Sequence, residues 1–190
     1  MTTNRRTILI FIALAGLAPG CKLAGEDHAS LVSRGEHLVK LGACNDCHTP
    51  VKMGPHGPES DVTRYLSGHP GALAMPPAPA LPEGPWVATV GATMTAWNGP
   101  WGTSFTANLT PDAETGLGKW TAADFIATMR TGRHLGKGRA ILPPMPIPVL
   151  QQYSDDELTA VFAYLTSVPA IANKVPGPIE PPAARTAAAR

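Results

Sequence analysis

Cys44, Cys47 and His48 stand together in the run Cys44-Asn45-Asp46-Cys47-His48, a C-x-x-C-H pattern. Two thiols three residues apart, followed at once by an imidazole, suit one chemistry above others. Both sulfurs can add across the vinyl groups of a porphyrin, and the next residue is then placed to ligate the iron from one side. The expected cofactor is a single covalently attached haem c. Two other readings of the pair are weaker. A thiol–disulfide centre would sit on the strand-to-helix turn of a βαβ unit, and no such alternation surrounds the motif. A structural zinc site would need a second ligand pair, and His56 and His69 do not form one at a recognisable spacing. The third cysteine, Cys21, lies far upstream, so no even set of cysteines forms a disulfide framework.

If His48 is one axial ligand, the residue opposite decides the use of the iron. A thioether gives a closed, low-spin iron of raised potential suited to electron transfer. Met53, Met75, Met94, Met129 and Met145 are the methionines beyond the first residues. Met129 falls on an apolar helical face and reads as core filling. Met53 is too near the motif to reach the far side of a porphyrin easily, and Met75 and Met94 lie in a Pro-rich stretch. Met145, between Pro144 and Pro146, is held by residues that pre-set an extended backbone, and is the expected ligand. His134 is a rival. Trp97, Trp101, Trp120 and Tyr153 could donate to haem propionates or simply pack. Arg133, Lys137 and Arg139 could pair propionates, rim a docking site for an acidic redox partner, or be solvated.

The elements that must position these groups are helices. Ser30 is placed to cap a helix running to about Leu41, with Leu31, Gly35, Leu38 and Val39 on one face and Gly42 as its stop. Thr121 and Asp124 form a capping box for a helix that turns Phe125, Ile126 and Met129 inward and ends at Gly132. Ser154 and Glu157 form another, for a last helix with Leu158, Val161, Phe162 and Leu165 in a stripe and Pro169 beyond its end. Between the motif and these helices, residues 50–101 are rich in Pro and Gly. They read as a loop insertion wrapping the core, with Val87–Val90 its only plausible strand. The expected fold class is all-α, a small helical domain around one haem.

The sequence of 190 residues has 15 basic and 14 acidic side chains, a balance that gives no support to nucleic-acid binding, which would need a clustered basic face. Its 19 Gly and 21 Pro against few aromatics argue against a large sheet sandwich. Residues 1–21 read as an export signal, with Arg5 and Arg6 before the apolar Ile8–Leu17, a run too short to span a bilayer. Leu17-Ala18-Pro19-Gly20-Cys21 resembles a lipobox, which would leave lipidated Cys21 as a membrane anchor; plain cleavage after Ala15 is the other reading. Both place the protein in the periplasm. Residues 22–29 read as a linker, 30–175 as the folded domain and 176–190 as a disordered tail.

The chain resembles class I c-type cytochromes, and more closely the haem domains of cytochrome subunits of bacterial periplasmic dehydrogenases. The matching stretches are Arg34-Gly35-Glu36-His37-Leu38 into Cys44–Pro50, Asn108-Leu109-Thr110-Pro111-Asp112 to Trp120, Pro143-Pro144-Met145-Pro146, and Ser154–Leu158 through Tyr164-Leu165. The resemblance implies that the first and last helices cross, that the haem edge is exposed, and that the methionine ligand precedes the last helix, where Met145 stands. It implies an electron carrier or electron-transfer subunit rather than an enzyme, with a dehydrogenase, an oxidase or another cytochrome as partner. Two departures are a single C-x-x-C-H motif, where such subunits often carry several, and Ile147 where an aromatic residue is common. The competing function is a haem enzyme or gas sensor with an open sixth position, for which no distal acid–base pair is evident beside the motif.

Overall fold

A computed structural model describes residues 26–81 and 84–181. The export segment, Arg5, Arg6, Ile8–Leu17 and Cys21 included, lies outside the described residues, as does 182–190. The first helix, α1 (His28–Leu41), is capped by Asp27, whose carboxylate accepts from Ser30 N–H at 2.8 Å. Ser30 therefore receives the cap instead of supplying it, and the helix starts earlier than its hydroxyl suggests. A five-residue helix, α2 (Cys44–His48), follows. Helix α3 (Ala122–Thr131) and helix α5 (Asp155–Ser167) each open on the expected reciprocal capping box. Gly132 closes α3 in the left-handed region, at φ 64°. Asp155, Asp156 and Glu157 sit in the first turn of α5, where the helix dipole favours negative charge.

Val39 of α1, Phe125 and Met129 of α3, and Leu158, Val161 and Leu165 of α5 are buried together. Burial of each large apolar side chain contributes roughly 1.5–3 kcal/mol. Gly35 lies where α1 crosses α5, and a Cβ there would run into the Ala160 carbonyl and Tyr164 Cβ. The crossing is therefore set by the one side chain small enough to allow it. Arg130 ties α3 to the start of α5, donating to Tyr153 O at 2.6 Å and pairing Asp155 Oδ1 at 2.6 Å. A short helix, α4 (Ile147–Leu150), lies between the two.

The domain is not all-α. Two small antiparallel sheets occupy the segment expected to be loop. Strands β1 (Val51–Gly54) and β2 (Gly57–Ser60) form a hairpin around Pro55 and His56. Strands β3 (Thr89–Val90), β4 (Ala96–Gly99) and β5 (Gly102–Phe105) form the second sheet in the order β3-β4-β5. Only β3 coincides with the strand expected at Val87–Val90. The others were hidden because they are short and carry no apolar alternation: β5 reads Gly-Thr-Ser-Phe, yet its first three residues are buried. What covers them is distant in sequence. Ser104 Oγ donates to Pro143 O at 2.5 Å, and Thr103 exchanges hydrogen bonds of 2.8 and 2.9 Å with Ile179.

That last contact belongs to a strap formed by the C-terminal segment. Asn108 Nδ2 donates to Ile171 O at 2.8 Å. Asn173, 7 % exposed, donates from Nδ2 to Ser67 O (2.7 Å) and His69 O (2.8 Å) and accepts from Gly71 N–H (2.8 Å). The tail expected to begin at residue 176 thus starts with a stretch paired to β5. Asn173→Ala leaves two buried carbonyls and one N–H without partners, for an expected loss of about 3 kcal/mol. Denaturant unfolding of Asn173→Ala against wild type measures it; a loss under about 0.5 kcal/mol would mean that water replaces the amide.

Candidate functional site

Helix α2 carries the two thiols and the imidazole on a single turn. It is set apart from α1 by Gly42 and by Ala43, whose φ of 53° puts a non-glycine residue in the left-handed region. Such a backbone is held only when its surroundings over-determine it. Here the Gly42 amide bonds Leu38 O at 2.8 Å, and a side chain on Gly42 would meet the Tyr153 hydroxyl and Cys44 Sγ. Cys44 and Cys47 are free thiols, both half-buried. Burial pushes the Cys44 thiol up to about 11, and burial together with Asp46 raises Cys47. Both are neutral SH groups at physiological pH, the reverse of the acidic thiol that a C-x-x-C redox centre uses.

His48 is 7 % exposed, and its Nδ1 lies 2.7 Å from the carbonyl oxygen of Ala107. A carbonyl can only accept, so Nδ1 carries the proton and donates it. The tautomer is thereby fixed, with the lone pair on Nε2, the atom that can coordinate a metal. Desolvation lowers the pKa of the imidazole, which keeps it neutral, as a ligand must be. The backbone of the same residue is held from the other side, where Gly68 N–H donates to His48 O at 2.8 Å. Beside it Thr49 is buried and its hydroxyl accepts from Leu66 N–H at 3.1 Å.

Met145 lies partly buried against the apolar core, in the same group of side chains as Cys44, Leu109, Trp120 and Tyr153. The turn before it is fixed to β5 through Ser104 and Pro143. The other methionines are placed elsewhere. Met129 is buried in the core, Met53 is 77 % exposed on β1, Met75 packs beside Gly91, and Met94 is exposed. His134 is exposed and sets its ring edge-on to Trp120, with centroids 5.1 Å apart. Trp97 spends its N–H on Met94 O at 3.1 Å. The Trp101 N–H is buried and has no hydrogen-bond partner among the described residues. His56 and His69 do not assemble into a zinc site; among the described residues no three His, Cys, Asp or Glu side chains gather.

The donor set fits a covalently held haem: two neutral thiols and an imidazole with its outer nitrogen free share one turn beside an apolar wall. Ala107 and Gly68 take no part in the reading of motifs. A backbone carbonyl leaves no side-chain signature, and Gly68 is one glycine among 19. Gly68 has φ 77°, and a Cβ there would stand 2.5 Å from the Ala107 carbonyl group and Thr106 O. Gly68→Ala therefore strains its own backbone and pushes away the carbonyl that orients His48. The expected cost is about 2–4 kcal/mol. Thermal unfolding checks the cost, and the His48 ring resonances in NMR check the displacement of Ala107.

No family model matches the chain. Its relatives among curated proteins are components of bacterial dehydrogenases. The cytochrome c subunit of the quinone alcohol dehydrogenase of Gluconobacter oxydans is 27 % identical over 168 residues, covering 87 % of this chain and 28 % of that protein. The gluconate 2-dehydrogenase cytochrome c subunit of Pantoea cypripedii is 30 % identical over 135 residues, 71 % of this chain and 22 % of that protein. The fructose dehydrogenase cytochrome subunit of Gluconobacter japonicus is 22 % identical over 138 residues, 73 % of this chain and 21 % of that protein. The chain thus spans under a third of the length of each of these relatives.

Proposed function

We propose that this homologue of dehydrogenase cytochrome c subunits is a monohaem c-type cytochrome that passes single electrons between redox proteins outside the cytoplasm. Cys44 and Cys47 would hold the haem through thioether bonds, with His48 and Met145 as axial ligands. The observation that carries the reading is the His48–Ala107 hydrogen bond within the C-x-x-C-H turn, which readies Nε2 as a ligand. When bound, the haem supplies a one-electron couple, raised in potential by a thioether ligand.

Everything else is the work of the polypeptide. The Ala107 carbonyl orients the imidazole and strengthens it as a donor. Ser104 and Pro143 hold the Met145 turn, so that the sulfur is presented without further ordering of the chain. The apolar group around Leu109 and Trp120 keeps water from the site. Electron transfer needs no substrate pocket, only a fixed iron environment and a surface where partners approach.

A dehydrogenase is the proposed donor, in keeping with the dehydrogenase cytochrome subunits to which the chain is similar. Export to the periplasm, with or without a lipid on Cys21, belongs to the same proposal. No helix among the described residues is long and apolar enough to cross a membrane.

A pyridine haemochrome spectrum tests the attachment. Wild type is expected to show the band of a haem joined by two thioethers, and Cys44→Ser a band shifted to that of a single one. Loss of haem on acid–acetone extraction of wild type would refute covalent binding. The ferric protein should also show the weak red band of iron–thioether ligation. Met145→Ala should abolish that band and lower the reduction potential; a variant that kept the band would place the sixth ligand elsewhere.

A further inference from the structure

Half of the basic side chains among the described residues pair with carboxylates. Arg34 pairs with Glu26, Lys40 with Glu36, Lys52 with Glu59 and Asp61, Lys119 with Glu114, and Arg130 with Asp155. The other half are Arg64, Lys174 and three that fall within seven residues of sequence. Arg133, Lys137 and Arg139 are exposed and, among the described residues, have no carboxylate at ion-pairing distance. Both guanidinium groups rest on backbone carbonyls, Arg133 on Gly138 O at 3.0 Å and Arg139 on Ala140 O at 3.4 Å. Among the described residues Lys137 makes no side-chain hydrogen bond; the Asp124 carboxyl is held below the usual range chiefly by its hydrogen bonds from Thr121, with Lys137 lowering it further.

The loop that carries them is rigid and well placed. Arg133 and Ala140 form an antiparallel bridge, His134 N–H bonds Arg139 O at 3.0 Å, and Ile141 N–H bonds Gly132 O at 2.8 Å. Gly136 sits against Ala127 of α3, where a side chain would collide. At its base Gly132 faces the Ile147 side chain, two residues past Met145. The His134 ring lies on Trp120, which packs with Met145 against the core. A preformed cationic loop thus borders the turn assigned to the sixth ligand. Unneutralised charge in such a position costs self-repulsion, but it speeds encounter with an oppositely charged surface.

We propose that residues 133–139 are a docking loop for the acidic face of a redox protein, placed so that the partner approaches the haem beside Met145. The inference rests on the proposed electron-transfer role and adds to it the chemistry of the partner. Guanidinium and ammonium groups on a rigid loop recognise carboxylates by charge, with little side-chain ordering.

Plastocyanin, a copper protein with an acidic face, serves as the probe. One electron leaves the reduced cytochrome and converts Cu(II) to Cu(I), with no atom transferred. In stopped flow, wild type is expected to react roughly tenfold faster at low salt than near 0.2 M salt. The Arg133→Glu, Lys137→Glu, Arg139→Glu triple variant should lose at least that tenfold at low salt. Because Arg133 also braces Gly138 O, Lys137→Gln serves as a second variant; its melting should match wild type and its low-salt rate should fall about twofold. NMR titration with the probe should shift the amides of residues 133–139. Equal rates and salt dependence in wild type and the triple variant would overturn the docking loop and leave the haem reading intact. Protein that accepts no electron from dithionite would sink the electron-transfer reading itself. Sedimentation of wild type with phosphatidylglycerol vesicles, lost in the triple variant and without any plastocyanin shifts, would assign the loop to a membrane and overturn the proposal.

Discussion

The hydrogen bond of 2.7 Å from the His48 ring to the Ala107 carbonyl is the contact on which the rest of the site depends. It chooses the tautomer of the imidazole, and it joins two parts of the chain 59 residues apart. For it to exist, Ala107 must be delivered to the motif turn from the far end of a long Pro- and Gly-rich segment. The two sheets do this. Strand β5 runs directly into Thr106, which bonds Thr95 O and accepts from His69 N–H, so Ala107 arrives on a backbone already fixed on both sides. Gly68 closes the arrangement, since only a residue without a Cβ lets that backbone come so close. The segment that looks like decoration in sequence is the scaffold that brings Ala107 to the His48 ring.

A chain whose apolar core is built from a few helical positions needs help of this kind. Val39, Phe125, Leu158 and their neighbours form a single cluster, and the sheets contribute little apolar area to it. Strand β5 and the loops around the sheets are held instead by polar groups that satisfy one another. Asn173, Asn108, Thr103 and Ser104 each bond a backbone group from a distant segment. Interactions of this type contribute modestly when made and cost more when one partner is removed. The fold is accordingly specific about which small polar residue stands where.

This explains how much could be read from the sequence. The helices were legible because capping and periodicity are local: Thr121 with Asp124, Ser154 with Glu157, and the stripe from Leu158 to Leu165 all lie within a few residues. The start of α1 was misplaced by a short step because Asp27 and Ser30 are both good caps, and local pattern does not choose between them. Cys44, Cys47 and His48 could be picked out together because they stand within five residues, and the structure carries them on one turn. The sheets were not legible, and neither was the role of Ala107. Strands made of Gly, Thr, Ser and Asn have no period to detect, and the residues that bury them come from positions 143 and 179. The expectation of an all-α domain failed there, since it equated a lack of apolar alternation with a lack of strands.

The strap that ends at Ile179 bears on the order in which the molecule can assemble. Asn173 reaches Ser67 and His69 across 106 and 104 residues. Contacts so remote in sequence close late, because loop entropy is lost before they form. A chain synthesised from its N-terminus exposes the turn of Cys44 and Cys47 well before the residues that lock its surroundings have emerged. The two thiols, half-buried once the chain has folded around them, are therefore open during that interval. Topology alone thus leaves both thiols open to chemistry before the fold closes over them, with no door that must later open.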